Sequence, residues 1–85
     1  MKENDLRLTR CFAAVFPQLS EDEIRAASAD ETAAWDSLGG VTLAAVVQEE
    51  FGIEIEPDVL PDLDSYRALR EYLGRVNPAG EQEAP

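Results

Sequence analysis

Apolar positions along the chain fall into three blocks with helical spacing, separated by punctuated connections. Leu8, Cys11, Phe12, Val15 and Phe16 recur at intervals of three and four, so their side chains share one helical face, and Pro17 marks the end of that segment. A second helix is predicted from Ser37 to about Phe51. Leu38, Val41, Leu43, Val46, Val47 and Phe51 cover a broad apolar arc there, and Gly52 is placed to stop the helix. A final helix carries Tyr66, Leu69, Tyr72 and Leu73. Asp64 or Ser65 would cap its start, and Arg70 and Arg75 suit its negative end.

The connections carry weaker signals. Ser20 and Glu23 have capping-box spacing and Ile24 follows, which predicts a helical turn pinned to the core within a long first loop. Gly39 and Gly40 each cost about 1 kcal/mol relative to Ala in a helix, predicting a loose start for the central helix. Ile53 and Ile55 alternate with Glu54 like a short strand. No second strand signal exists to pair with them, so an extended segment burying Ile55 is expected and a sheet is not. Pro57 opens a short helix through Leu60, which Pro61 then limits. Asn77 to Pro85 offers nothing to bury and reads as a disordered tail. The expectation is an all-α domain over residues 1–76 followed by a tail over 77–85, with no internal repeat.

Charge narrows the partners. Seven Lys plus Arg against eighteen Asp plus Glu leave a formal charge of -11, which repels nucleic acid and anionic lipid headgroups. Residues 49–64 hold Glu49, Glu50, Glu54, Glu56, Asp58, Asp62 and Asp64 without one Lys or Arg. Any one of these acids is ordinary solvated surface, whereas the whole patch would steer a partner with a basic face.

Chemistry is narrowed as well. The 85 residues contain no histidine, so the usual general base, zinc ligand and Ser-His or Cys-His pairs are missing, and a metal site is not expected. Cys11 is the only cysteine and lies on the apolar stripe, where a buried small hydrophobe is the reading. No intrachain disulfide is possible, which suits a reducing cytoplasm. Nothing apolar follows Met1-Lys2-Glu3-Asn4-Asp5, and no later run approaches the roughly 20 residues a bilayer needs, so a soluble, membrane-free chain is expected.

The informative stretch is Trp35-Asp36-Ser37-Leu38, followed by an amphipathic helix ending in Glu49-Glu50-Phe51-Gly52-Ile53-Glu54-Ile55. Together with the last helix, Leu63 to Leu73, it resembles the acyl carrier protein family over roughly residues 6–75. An Asp-Ser-Leu tripeptide alone is weak, and its specificity comes from its combination with size, acidity, helix order and the downstream run. The resemblance implies a small antiparallel four-helix bundle with a long first loop and a short third helix. It also implies 4'-phosphopantetheine attached covalently to Ser37, with Asp36 assisting a phosphopantetheinyl transferase and its Mg²⁺. Leu38, Glu49, Glu50, Glu54 and Glu56 would then form the docking face for that transferase and for acyl-loading and acyl-processing enzymes. Val47, Ile55, Leu60, Leu63 and Tyr66 would border the space that shelters an acyl chain in the family, although each is explained as core.

Departures refine the expectation. Trp35 replaces the small residue common before Asp-Ser-Leu in fatty-acid carriers and is read as a loop anchor. Gly39, Gly40 and Thr42 stand where fatty-acid carriers often place acids, which points to a dedicated or secondary-metabolite pathway. The expected product of this sequence is a monomeric, non-catalytic acyl carrier. An aminoacyl or peptidyl carrier is the nearest variant. The rival from another class is an acidic helical interaction module in which Ser37 merely caps a helix. A serine enzyme would need a base this chain lacks.

Overall fold

Four helices lie in chain order α1 (Glu3–Val15), α2 (Glu21–Arg25), α3 (Ser37–Phe51) and α4 (Tyr66–Val76), with a 3-10 turn at Leu60–Asp62 between the last two. They belong to a computed structural model that describes residues 3–77; the tail positions 78–85 named above lie outside the described residues. Among the described residues no strand forms, and the one β-type pairing is an isolated antiparallel bridge between Ser28 and Ser65.

The periodicity of α1 determines what it buries. Leu8, Cys11 and Phe12 are sealed in the core, and Asn4, one turn before Leu8, extends the same stripe. Helix α1 packs against α2, α3 and α4. The Phe12 ring is central, with the rings of Phe16, Trp35 and Tyr66 at 6.1, 5.3 and 5.4 Å. These four aromatic side chains draw α1, the loop before α3 and the start of α4 onto one point, in tilted and edge-on contacts that aromatic quadrupoles favour.

The long first connection is ordered by the signals its sequence carries. The Glu23 N–H donates to Ser20 Oγ at 3.2 Å and the Ser20 N–H donates to Glu23 Oε1 at 2.8 Å, a reciprocal capping box that starts α2. Ile24 is its buried anchor. The loop beyond is tied to the start of α4: the Ala29 N–H donates to the Asp64 carbonyl at 2.7 Å and the Tyr66 N–H to the Ala27 carbonyl at 3.0 Å. Gly52 ends α3 at φ 64°, the left-handed conformation that glycine adopts without a Cβ penalty. The extended segment after it is held by the Ile55 N–H, which donates to Gln48 Oε1 at 2.7 Å, and Ile55 is buried as its alternation implied.

Two expectations need correction. The short helix read as Pro57 to Leu60 is instead a 3-10 turn at Leu60–Asp62, with Pro61 inside it. Proline lacks an N–H, and the opening positions of a helical turn are where no donor is required, so Pro61 starts this turn rather than ending one. Val41, placed on the apolar arc of the central helix, is 59% exposed. The chain end also packs further than its composition suggests. Asn77 Nδ2 donates to Asn4 Oδ1 at 2.9 Å and Asn4 Nδ2 donates to the Asn77 carbonyl at 3.1 Å, which clasps the two ends of the described chain. No helix among the described residues is long and apolar enough to cross a membrane.

Candidate functional site

The sequence holds two Asp-Ser pairs at helix starts, and the structure treats them differently. At α4 the serine makes the cap: Ser65 is extended and its Oγ accepts the Ala68 N–H at 3.0 Å. At α3 the aspartate makes it: Asp36 is extended and its Oδ1 accepts the Gly39 N–H at 2.8 Å. Ser37 is therefore the first residue inside α3 rather than its cap. Its side chain is exposed and its hydroxyl makes no hydrogen bond among the described residues. The amides of Ser37 and Leu38 lie in the first turn, where a helix provides no acceptor.

Gly39 is required by the loop that delivers Asp36. A Cβ on Gly39 would collide with the Ala34 carbonyl oxygen, so the chain before α3 lies directly against the first helical turn only because that residue has no side chain. The missing side chain at Gly39 thus has a local purpose. Paired glycines in a first turn were the signal available in the sequence, and what they make room for was not.

An open cleft of about 420 Å³ runs beside Ser37. Trp35, Leu43, Leu60, Leu63 and Leu69 supply apolar walls, and Asp36 and Ser37 belong to its lining. Leu60 and Leu63, set beside such a space by the family resemblance but read as core, do line it. Val47, Ile55 and Tyr66 are core, as read, with exposures of 0%, 9% and 5%. The cleft was not legible from periodicity, because its walls come from a loop, two helices and a 3-10 turn.

Leu38, outside the cleft, is 75% exposed, and Val41, one turn further along α3 and part of the cleft lining, presents the same face. Glu49, Glu50, Glu54, Glu56, Asp58, Asp62 and Asp64 are all exposed, so every acid of this segment lies at the surface while Ile55 and Leu63 between them are buried. One of these acids has a partner within the chain: Arg7 Nε meets Glu50 Oε2 at 2.8 Å, while its guanidinium covers the Phe51 ring at 4.4 Å and also reaches the Glu50 carbonyl oxygen. Glu50 is thus engaged in fixing α1 to the end of α3, leaving the other acids of the patch without that duty.

Cys11 takes no part. Its thiol is pushed up to about 11, first by burial and then by the nearby Glu50 carboxylate, with Arg7 opposing. A thiol so held is protonated at neutral pH and is a poor nucleophile. Among the described residues no group of three or more His, Cys, Asp or Glu side chains is placed to hold a metal ion.

The arrangement suits a phosphate ester. An uncommitted hydroxyl stands at the positive end of a 15-residue helix with two acceptor-free amides beside it, and an apolar cleft lies alongside. A family model described as a phosphopantetheine attachment site matches residues 7–73, a span that contains α2, α3 and most of α1 and α4. Neither the curated proteins nor the solved structures compared contain a match to this chain.

Proposed function

We propose that this chain, which belongs to the phosphopantetheine attachment-site family and so to the carrier domains that bear covalent 4'-phosphopantetheine, carries that group on Ser37 and holds an acyl intermediate for partner enzymes. The observation that supports the assignment most directly is the free, exposed hydroxyl of Ser37 beside a capping Asp36. The arm, once bound, supplies a thiol on a long flexible tether, able to form a thioester that a serine hydroxyl at the helix surface would lack the reach to exploit.

The chain's own residues position and present. Asp36 fixes the helix start through Gly39, which leaves the Ser37 hydroxyl directed at a transferase rather than at the backbone. The first-turn amides and the helix dipole favour a phosphodiester at this place. Leu38 and Val41 offer an exposed apolar contact, and the acidic segment from Glu49 to Asp64 attracts basic partner faces. Glu49, Glu54 and Glu56 are assigned to that docking face, with Glu50 contributing from its pair with Arg7.

The chain has no histidine, and the Asp36 carboxylate beside Ser37 is engaged by the Gly39 N–H, so catalysis is assigned to the partners: the phosphopantetheinyl transferase, then acyl-loading and acyl-processing enzymes. The apolar walls of the cleft, Trp35, Leu43, Leu60, Leu63 and Leu69, suit an acyl cargo, and an aminoacyl or peptidyl cargo is the nearest variant because Asp36 and Asp64 line the same cleft. A dedicated or secondary-metabolite pathway in a reducing cytoplasm, with the carrier acting as a monomer, completes the reading.

Incubation with coenzyme A and a broad-specificity phosphopantetheinyl transferase tests it. Intact mass should rise by one phosphopantetheinyl group in the wild type and not in Ser37→Ala. An unchanged wild type, or equal gains in both, contradicts the assignment.

A further inference from the structure

The indole of Trp35 is 6% exposed, packed edge-on against Phe12 at 5.3 Å and tilted against Phe16 at 5.9 Å. Those contacts hold its carbon face. Its N–H edge is turned elsewhere: a Cβ built on Gly40 would stand 3.4 Å from Nε1 and 3.6 Å from Cδ1. That edge therefore lies over the bare backbone of Gly40, and both residues belong to the wall of the cleft beside Ser37.

Buried indole N–H groups ordinarily find an acceptor. This one makes no hydrogen bond among the described residues, and it is not sealed either, since Asp5 Oδ1 alone among the described side chains is both enclosed and without a hydrogen bond. A donor on a side chain more than nine-tenths buried thus keeps access to solvent, and the cleft is the open space beside it. Gly40 follows Ser37 by three residues, which places it on the same side of α3 about 4.5 Å further along the axis. Any group attached to Ser37 that folds back into the cleft passes Gly40 before it reaches the apolar walls beyond.

Building on the carrier reading of Ser37, we propose that the Trp35 indole N–H donates a hydrogen bond to an amide carbonyl of the phosphopantetheine arm and holds the arm along the cleft. Gly40 is the clearance that admits it. A phosphopantetheine arm carries two amides between phosphate and thiol, so a carbonyl acceptor lies near the attachment point whatever cargo the thiol bears. Trp35 is then a positioning residue that sets the balance between an arm folded on its own carrier and one extended to a partner. The contact is one neutral hydrogen bond, weak enough for a partner enzyme to displace.

The test reads the indole directly. Wild type and Gly40→Ala are labelled with ¹⁵N, treated with coenzyme A and transferase, and checked by mass; only converted protein is compared with its apo form by NMR. A methyl on Gly40 makes ordinary contact with Nε1 and covers the N–H without displacing the indole. In the wild type the Trp35 indole proton should move downfield on conversion, and its exchange with solvent should slow roughly two- to tenfold, the equilibrium equivalent of one neutral hydrogen bond. In converted Gly40→Ala both changes should be lost. A Trp35→Phe protein, read through the arm's own amide resonances, should match the Gly40→Ala result. An indole that does not respond to conversion overturns the proposal, as does one that responds only after the thiol is acylated or responds equally in Gly40→Ala. Conversion with a silent indole defeats this inference and leaves the carrier reading standing, whereas failure to convert defeats both.

Discussion

Asp36 Oδ1 accepts the Gly39 N–H at 2.8 Å, and that bond settles which member of the Asp-Ser pair closes the first turn of α3. With the cap made by Asp36, nothing in the helix start engages the Ser37 side chain. Asp36→Ala should lower stability to urea by about 1 kcal/mol, the usual cost of losing a side-chain cap. Ser37→Ala should stay within about 0.5 kcal/mol of wild type, as exposed substitutions do. The reverse ranking in the two unfolding curves would show that Ser37 is the cap after all.

Neighbouring glycines in α3 should respond differently to alanine. Both would gain about 1 kcal/mol of helix propensity on becoming alanine. At Gly40 the new methyl meets Trp35 at an ordinary contact distance but shields the indole N–H from water, which offsets the propensity gain, so Gly40→Ala should leave the melting temperature of the apo protein close to that of wild type. At Gly39 it runs into the Ala34 carbonyl, and the loop before α3 must move. Gly39→Ala should be destabilised by about 1 to 3 kcal/mol, the typical penalty for overpacking. Equal effects on thermal unfolding would contradict the close approach of Ala34.

The Cys11 thiol offers a pH prediction. Its folded value is raised from 9.0 to about 11, so between those limits the unfolded chain releases the proton and the native chain retains it. Stability should be unaffected by this group below pH 9, should fall as pH rises from 9 towards 11, and should level off above that. Cys11→Ala should flatten that slope. At pH 8, iodoacetamide should label the native protein far more slowly than the urea-unfolded chain.

Glu23 titrates in the other direction. Hydrogen bonds from the Ser20 backbone and then from its side chain hold this carboxyl below its ordinary value. A folded value lowered in this way contributes stability that is present above the unfolded pKa and is lost as pH falls through the folded one. The Glu23 side-chain signal in an NMR titration should have a lower midpoint than that of fully exposed glutamates. Ser20→Ala should move it part of the way back, since the backbone N–H of residue 20 survives the change.

What was legible in the sequence was local. The Ser20 and Glu23 spacing specified a capping box, Gly52 a left-handed stop, and the three-and-four spacing of Leu8, Cys11 and Phe12 a buried stripe, because each depends on residues within a turn or two. Pro61 was misplaced because proline both opens and closes helical turns, and only the fold around Leu60 decides which. The clasp of Asn4 with Asn77 joins residues at opposite ends of the described chain, and no periodicity reports such a pairing. Within the site, Asp36, Ser37 and Leu38 carried their own signal. The approach of Ala34 to Gly39 and the indole over Gly40 are set by a loop whose path local propensities do not encode. The division between Ser37 and Ser65 is likewise invisible in two identical Asp-Ser pairs.

That division allows the most direct measurement. The transferase-treated wild type should be digested and the fragment carrying the phosphopantetheinyl group sequenced by mass spectrometry. The account predicts the group on Ser37, inside the stretch from Ala26 to Arg67, with Ser65 and Ser28 of the same stretch unmodified. Modification at Ser65, or at any serine other than Ser37, would contradict it.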